Sequence, residues 1–239
     1  MRLTPSPSRL RVAILDDHPS TIDGYRFQLG QAPDLEIVGA AYHGQALEAL
    51  LAAQRVDVLL LDIGVPTAAD NPNPYPILTH LPHLLQVYPD LAVVVISMHA
   101  ESSLIKSMMR AGAVGYILKD DHQLLQNLAA AVRAAAHGDI TLSQQARHQW
   151  ERRSQETGAP LTPRQLQALA LCAAYPDEAT AALAARLTVA PSSLRNLLSG
   201  AYLRLGVSSR AGAVAEARRR GLITPFAPPP PDAGQDAAR

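Results

Sequence analysis

The sequence lacks the features that mark disulfide-bonded, membrane-spanning and secreted proteins. Its 239 residues include one cysteine, Cys172, so no intramolecular disulfide can form. No run of about 18 uncharged apolar residues is present, and we therefore expect no transmembrane helix. The N-terminal stretch MRLTPSPSRLR has no apolar core of the kind found in signal peptides. These absences predict a cytoplasmic protein without a membrane partner.

Lysine is scarce, and the charge is unevenly distributed along the chain. Lys106 and Lys119 are the only lysines among 21 basic residues, and the formal net charge is zero. Residues 1–137 hold 9 basic residues against 13 acidic ones, whereas residues 161–223 hold 8 against 3. Such an asymmetry indicates an acidic regulatory or metal-binding half joined to a nucleic-acid-binding half. The hydrophobic fraction of 48% is sufficient for folded cores and argues against wholesale disorder.

The first half alternates short apolar runs with segments of helical length. The runs are continuous, as expected for strands that are covered on both faces. They lie at residues 11–15, 35–39, 56–61, 91–97 and 114–118. The helical segments lie at about 19–31, 44–54, 76–87, 101–111 and 121–137. This alternation predicts an α/β domain with right-handed crossovers and a five-stranded parallel sheet.

Polar residues stand at the ends of four of these runs. Asp16 and Asp17 end the first run, Asp62 the third, Ser97 the fourth and Lys119 the fifth. Carboxyl ends of parallel strands meet at one edge of the sheet, where ligands bind. Adjacent carboxylates repel each other, so we expect a cation there, and oxygen ligands suit Mg²⁺. We expect no other cation within reach of the three carboxylates.

These residue types also suit phosphoryl transfer. Asp62 can act as a nucleophile toward a phosphoryl group, while the metal and Lys119 neutralise the phosphoryl oxygens. The Ser97 hydroxyl can donate a hydrogen bond to the bound phosphoryl group. Each residue alone is more simply a helix cap or a solvated side chain. Their joint occurrence at four strand ends is what favours a functional site.

Residues 11–137 resemble the receiver domain of response regulators. The motifs ILDDHP, LLLDIGVP, VVVISMHAE and GAVGYILKDD carry the resemblance. It implies a flavodoxin-like sheet of strand order 2-1-3-4-5 and phosphorylation of Asp62 by a sensor histidine kinase. It further implies an Mg²⁺ site formed by Asp16, Asp17, Asp62 and the Gly64 carbonyl, and phosphoryl binding by Ser97 and Lys119. Ser97 and Tyr116 resemble the family's switch pair, with plain packing of Tyr116 as the alternative.

One segment departs from the receiver pattern. The family follows its phosphoacceptor with a short glycine-containing turn, whereas four prolines lie between residues 66 and 76 here. They predict a stiff extended loop beside the site. We further expect Pro82 to break the helical spacing of His80 and His83. These two residues and His99 are therefore interpreted as surface histidines and not as a metal site.

After Pro160 every signal is helical, with helices near 163–174, 178–187, 191–205 and 208–220. Thr162 is predicted as an N-cap, and Cys172 as a small buried residue. Residues 161–223 resemble the four-helix LuxR-type helix-turn-helix domain of the NarL/FixJ family, through LTPRQ, AARLTVAPSSLRN and YLRLGVSSRAGAVAEA. The resemblance implies a recognition helix at 191–205 that enters the DNA major groove. The implied DNA contacts are Ser192, Ser193, Arg195, Asn196, Ser199, Arg204, Ser209 and Arg210, with a solvated helix face as the alternative for each.

The helix-turn-helix resemblance is incomplete, so more than one function stays open. Ala181 and Ala182 stand where the family commonly has Lys-Glu, and Leu197 and Gly200 stand where it has His and a polar residue. The scaffold helix, predicted near 178–187, offers a DNA phosphate only Arg186. The leading hypothesis is a two-component transcription factor that binds promoter DNA and dimerises when phosphorylated.

A second hypothesis is a receiver with a degenerate helix-turn-helix that acts through protein–protein contacts. A third is a phosphatase with an aspartyl nucleophile, which is disfavoured because the acidic pair and Asp62 lie on separate strands. We therefore expect no enzyme activity beyond the receiver's own phosphorylation and dephosphorylation. The predicted organisation is a receiver at 9–137, a linker with a helix at 138–160, a helix-turn-helix domain at 161–223 and a disordered proline-rich tail at 224–239.

Overall fold

The computed structural model describes residues 9–151 and 161–225 as an α/β unit followed by a helical unit. The strands are β1 (Leu10–Leu15), β2 (Leu35–Ala41), β3 (Val58–Leu61), β4 (Pro66–Ala68), β5 (Asn71–Pro74), β6 (Ala92–Ser97), β7 (Gly115–Leu118) and β8 (Thr141–Leu142). The helices of the first unit are α1 (Pro19–Leu29), α2 (Gly44–Ala53), α3 (Ile77–Val87), α4 (Ser102–Arg110), α5 (His122–Gln126), α6 (Leu128–Ala136) and α7 (Gln144–Glu151). Those of the second are α8 (Pro163–Ala174), α9 (Thr180–Arg186), α10 (Pro191–Leu205) and α11 (Arg210–Arg219). Within the described ranges, no helix is both long and apolar enough to cross a membrane.

The main sheet is parallel, and its strand order is β2-β1-β3-β6-β7-β8. The five predicted strands and their order are therefore confirmed, and β8 adds a sixth strand at the edge. Side chains of the central strands alternate between two cores. Leu59 and Val93 belong to one, and Leu60 and Val94 to the other. Burial on both faces explains why these strands are continuous apolar runs.

The proline-rich segment after Asp62 forms a β-hairpin, so the predicted extended loop was wrong. β4 and β5 pair antiparallel through a tight turn at Ala69–Asp70. Pro66 lies opposite Pro74, and neither can donate a backbone hydrogen bond. The Thr67 hydroxyl supplies a cross-strand bond instead, donating to the Asn73 carbonyl at 2.8 Å. A side-chain donor thus replaces backbone donors that proline removes.

Tyr75 anchors the base of this hairpin to the rest of the α/β unit. Its backbone N–H donates to the Val65 carbonyl at 2.9 Å, and its hydroxyl donates to Glu48 Oε1 at 2.7 Å. The ring lies against Gly44, where a Cβ atom would be only 2.0 Å from Tyr75 Cδ2. Glycine at position 44 therefore makes the room that the buried ring occupies.

Two helices differ from the predictions. α3 continues through Pro82 because this residue lies on the exposed face of the helix, away from the buried side chains Leu81 and Leu84. The missing hydrogen bond therefore falls on the solvent side. The single helix predicted for residues 121–137 is divided into α5 and α6 at Asn127, whose φ and ψ of −107° and 27° are not helical.

The ends of the two units also differ from the predicted organisation. Part of the predicted linker packs on the α/β unit: β8 pairs with β7, and the Ser102 hydroxyl donates to the Gln149 carbonyl at 2.7 Å. The rest of the linker, residues 152–160, lies outside the described residues. The predicted tail begins too early, because Thr224 is buried. Its residues 226–239 lie outside the described part of the chain.

The helical unit has its own core, formed by α8, α9, α10 and α11. Thr162 caps α8 as predicted: its hydroxyl accepts from the Gln165 N–H, and the Gln165 side chain accepts from the Thr162 N–H. Cys172 is buried, as predicted. Thr188, in the turn between α9 and α10, has a φ of 55°, a conformation that is strained for a β-branched residue.

Two glycine-to-alanine substitutions should change stability in opposite directions. Gly44→Ala should lower the free energy of unfolding by about 1–3 kcal/mol, because the methyl group collides with the Tyr75 ring. Gly24→Ala, in α1, should raise it by up to about 1 kcal/mol, because no atom of the described residues lies within 4 Å of the added methyl group and alanine favours the helix. Urea unfolding followed by the fluorescence of Trp150, on α7, measures both. Equal effects of the two substitutions would contradict the packing described for Tyr75.

Candidate phosphoryl-acceptor site

Three charged side chains meet at the carboxyl edge of the main sheet. The strand ends are fixed by backbone bonds, since the Asp62 N–H donates to the Leu15 carbonyl at 2.8 Å. Lys119 Nζ donates to Asp16 Oδ2 at 2.8 Å and to Asp62 Oδ2 at 2.7 Å. The expectation that no other cation reaches the carboxylates was therefore wrong. The side chain of Lys119 is long enough to cross the end of β6 and stand between the two aspartates.

Burial and neighbouring charges shift the pKa values of Asp16 and Lys119 in opposite directions. Burial raises the pKa of Asp16 above its ordinary value, and the neighbouring Lys119 ammonium opposes that rise. Burial lowers the pKa of Lys119, but the charges and hydrogen bonds of Asp62 and Asp16 outweigh it, so the net shift is upward. Lys119 therefore stays protonated at physiological pH and holds the two carboxylates together.

Asp17 and His18 lie beside this ion pair. The Asp16 Oδ1 atom accepts from the His18 N–H at 2.9 Å, and Asp17 Oδ1 lies 2.8 Å from His18 Nδ1. One ligand atom from each of Asp16, Asp17 and His18 falls within 4.8 Å of the others. The Gly64 N–H donates to Asp62 Oδ1 at 3.1 Å, which orients the third carboxylate. Carboxylate oxygens are the ligands that hard divalent cations prefer, so the acidic pair could bind a metal ion.

Ser97 and Tyr116 are both completely buried next to this edge. Ser97 Oγ accepts from the His99 N–H at 3.1 Å, and the Tyr116 hydroxyl donates to the His99 carbonyl at 2.7 Å. Burial raises the pKa of Tyr116, while a hydrogen bond with Ser97 opposes the rise, so the phenol is neutral. The Tyr116 ring thus already points inward. His99, interpreted as a surface histidine, is in fact only 14% exposed in its side chain.

Five of the eight predicted DNA contacts lie within the first nine residues of α10 and are exposed. They are Ser192, Ser193, Arg195, Asn196 and Ser199. Residues spaced three and four apart lie on one side of a helix, so these side chains form a continuous polar face. The structure therefore brings these five predicted DNA contacts together on a surface that solvent reaches.

The other three predicted contacts have partners within the helical unit. Arg204 donates to the Gln165 side chain. The Ser209 hydroxyl caps α11 by accepting from the Gly212 N–H at 3.1 Å. Arg210 donates to the carbonyls of Pro176 at 3.2 Å and Glu178 at 3.0 Å. The sequence pattern could not reveal the bonds of the two arginines, because their partners lie 32 to 39 residues away.

Two departures from the helix-turn-helix pattern have structural reasons. Leu197 is partly buried and packs against the core of the helical unit. At Gly200 a Cβ atom would lie 2.6 Å from Gln165 Nε2, so glycine leaves space for the amide that completes the α8 cap. Ala181 and Ala182, in contrast, are exposed and offer no charge to a ligand. The fold thus accounts for the first two substitutions.

Comparison with known proteins shows the class of domain to which the α/β unit belongs. The family described as the response regulator receiver domain matches residues 12–133. RcsB of Salmonella enterica serovar Typhimurium, solved bound to a promoter, has the same fold, with a TM-score of 0.55 and 20% identity over 87% of this chain and 98% of that one.

Full-length relatives then define the family. The probable transcriptional regulatory protein NarL of Mycobacterium tuberculosis is 30% identical over 228 residues, which cover 92% of this chain and 98% of that protein. The uncharacterized transcriptional regulatory protein YxjL of Bacillus subtilis is 27% identical over 90% of this chain and 98% of its own length. The chain belongs to the response regulators of the NarL type.

Replacing Lys119 by Met should destabilise the protein in metal-free buffer, because the buried carboxylates lose the cation between them. We expect the free energy of unfolding near neutral pH to fall by up to about 3 kcal/mol. Without Lys119 the folded-state pKa of Asp16 rises further above its unfolded value. A carboxyl group whose folded-state pKa is raised lowers the stability as the pH rises through that pKa, so the deficit should shrink as the pH falls below it, toward the ordinary aspartate value of 3.8.

Urea unfolding at several pH values measures this effect. The control is Arg55→Met, which breaks the exposed Arg55–Asp57 ion pair, 3.2 Å from Nε to Oδ1. Exposed pairs contribute little, so this variant should resemble the wild type at every pH. A Lys119→Met deficit that is independent of pH would contradict the bridging role.

Proposed function

We propose that the chain is a two-component response regulator that is phosphorylated on Asp62 and controls transcription through its helix-turn-helix. The observation that carries the proposal is the Lys119 ammonium hydrogen-bonded to both Asp16 and Asp62 at one sheet edge. A carboxylate held by a cation at the carboxyl edge of a parallel sheet is suited to accept a phosphoryl group. A sensor histidine kinase is the expected phosphoryl donor, as the receiver domain implies. The proposed location is the cytoplasm.

Each polar residue at the edge has a distinct proposed role. Asp17, Asp62 and the Gly64 carbonyl would hold Mg²⁺, with Asp16 assisting through water; the ion would supply positive charge to the phosphoryl oxygens. A carboxylate oxygen of Asp62 attacks phosphorus while the bond from phosphorus to the donor breaks, and the leaving group takes the electron pair. Lys119 then gives up its hydrogen bond to Asp62 and donates to a phosphoryl oxygen instead. Ser97 donates its hydroxyl proton to another phosphoryl oxygen and, with Tyr116, forms the proposed switch.

The proposed output is binding to promoter DNA. The exposed face of α10 supports it, because an arginine and an asparagine at the start of a recognition helix are suited to reading base edges. RcsB, which has the same fold, was solved as dimers bound to DNA. By the same logic we propose that phosphorylation promotes a homodimer that binds two half-sites. Response regulators are not a family of classical enzymes, and we propose no activity here beyond the receiver's own phosphorylation and dephosphorylation.

One observation favours the alternative, a helix-turn-helix that acts mainly through protein contacts. Several of the basic side chains that could neutralise DNA phosphates are engaged within the protein: Arg186 with Glu178, Arg204 with Gln165, and Arg210 with two backbone carbonyls. Affinity for DNA scales with the number of phosphates neutralised. An unmodified monomer should therefore bind DNA weakly.

The small phosphodonor acetyl phosphate should label Asp62 when Mg²⁺ is present, because the site itself supplies the nucleophile and the cations. Intact-mass spectrometry should show one added phosphoryl group, and Asp62→Ala should abolish it. Asp120→Ala removes an exposed carboxylate next to Lys119 and should leave the labelling intact. Labelling that survives in Asp62→Ala would overturn the assignment of the nucleophile.

Arg195→Ala should weaken binding to DNA selected from a random pool, because Arg195 lies on the exposed face of α10. If Arg195 reads a base, the loss should be about 1–3 kcal/mol for the selected sequence and smaller for mixed-sequence DNA. An equal loss on all DNA would identify a phosphate contact instead. Arg164→Ala, an exposed arginine on α8, is the control.

The measurements are made over a range of salt concentrations, with and without phosphorylation. If no selected sequence exceeds mixed-sequence DNA by about tenfold in affinity, specific DNA binding is rejected and the protein-interaction alternative replaces it.

A further inference from the structure

The acidic turn between α8 and α9, residues 175–178, binds Arg186, the only basic residue of α9. Both oxygens of Glu178 accept from Arg186: Nη2 to Oε1 at 2.7 Å, and Nε to Oε2 at 3.0 Å. The Tyr175 ring covers the same guanidinium, whose central carbon lies 3.7 Å from the ring centroid. A carboxylate that engages arginine through two oxygens imitates the way a phosphate group binds it.

The same turn also holds a second arginine. Arg210 donates to the carbonyls of Pro176 and Glu178, and its Nη2 lies 3.4 Å from Thr180 Oγ1. The first helix of a helix-turn-helix crosses the DNA backbone, and Arg186 is the only charged residue on α9. The turn thus binds Arg186 and Arg210 within the protein, so their positive charge is not available to DNA phosphates.

The hairpin of the α/β unit contacts this turn from the other side. The Asn71 side-chain N–H donates to the Ala174 carbonyl at 3.0 Å, one residue before Tyr175. The Asn71 oxygen accepts from the Asn73 N–H at 3.1 Å, which fixes the orientation of the amide. Hairpin and turn together line a cavity of about 290 Å³, whose walls include Asp70, Asn71, Tyr175, Glu178 and Arg186.

A second contact joins the two units at the other end of the helical unit. Gly221, with a φ of 61°, lies so close to the start of α4 that a Cβ atom would be 2.6 Å from the Leu104 nitrogen. The hairpin itself begins shortly after Asp62, and the Tyr75–Val65 bond closes its base. The position of the turn is therefore tied to the segment that carries the phosphoacceptor.

We propose that the turn at residues 175–178 is a built-in competitor of DNA, in which Glu178 takes the place of a backbone phosphate on Arg186. The hairpin holds the turn in this position through Asn71. Loss of the Glu178 charge, or release of the hairpin contact, frees Arg186 to bind a phosphate. The inference rests on the proposed DNA-binding function and names the residues that limit it.

The test uses the full chain and a mixed-sequence DNA duplex, because a phosphate contact does not depend on base sequence. Glu178→Gln keeps the size of the side chain and removes its charge. The log–log slope of affinity against salt should steepen by about 0.9, so the variant should lose about 3.5-fold more affinity than the wild type between 50 and 200 mM salt. Its affinity at the lower salt concentration should exceed that of the wild type.

Three further variants assign the effect to Arg186 and to the hairpin. In Glu178→Gln combined with Arg186→Ala, the steeper slope should disappear. Asn71→Ala should also steepen the slope, and combining it with Glu178→Gln should add nothing further. Asp177→Asn removes an exposed charge from the same turn and leaves the Glu178–Arg186 pair in place, so it controls for the change in net charge.

Several outcomes would overturn the inference. An unchanged slope in Glu178→Gln, with circular dichroism unchanged, means that the ion pair only stabilises the turn. An equal steepening in Asp177→Asn means that net charge alone is responsible. If the wild type binds DNA in a way that depends on Arg195 but Glu178→Gln has no effect, this inference fails and the proposed function stands. If neither protein binds DNA at any salt concentration, both fail.

Discussion

The receiver site depends on one long side chain that spans two strand ends. Lys119 leaves the end of β7, crosses the end of β6 and reaches Asp16 and Asp62, which follow β1 and β3. Without a cation, two carboxylates this close and this buried would repel each other. The ammonium removes that repulsion before any metal or phosphoryl group arrives. A phosphoryl group on Asp62 would then change the partner of Lys119 without requiring a new charge to be buried.

The loops that surround this ion pair are also the ones that contact the helical unit. The segment after Asp62 becomes the hairpin that donates to Ala174, and the segment after Ser97 leads into α4, where Gly221 packs. Packed elements resist continuous deformation and pass between discrete arrangements. The carboxyl edge is therefore linked to the helical unit by two short segments, the hairpin and the start of α4, through which a structural change can pass. The connection through the hairpin is particular to this proline-rich segment, whereas that through α4 uses an element that the sequence pattern predicts.

Much of the fold and of the receiver site could be predicted from the sequence, because both rest on local signals. Continuous apolar runs identify strands that are buried on both faces, and polar residues that follow them must share one edge. Long-range pairings could not be predicted in this way. The proline content of residues 66–76 indicated rigidity, but the hairpin depends on the Thr67–Asn73 bond and on the Tyr75 ring against Gly44. Likewise, the pattern located Lys119 at the site but did not reveal that it bridges two carboxylates, and it could not show that Gly200 accommodates Gln165.

The helical unit shows why a charge count does not measure capacity to bind DNA. Residues 161–223 carry an excess of five positive charges, 8 basic against 3 acidic. Much of that charge is already bonded within the protein: Arg186 to Glu178, Arg210 to backbone carbonyls, and Arg219 and Arg220 to Glu216. An arginine that must first leave a carboxylate contributes to DNA binding only the difference between the two interactions. Because that difference depends on the turn at residues 175–178 and on the hairpin that holds it, the effective positive charge of this surface is a property of the conformation as much as of the sequence.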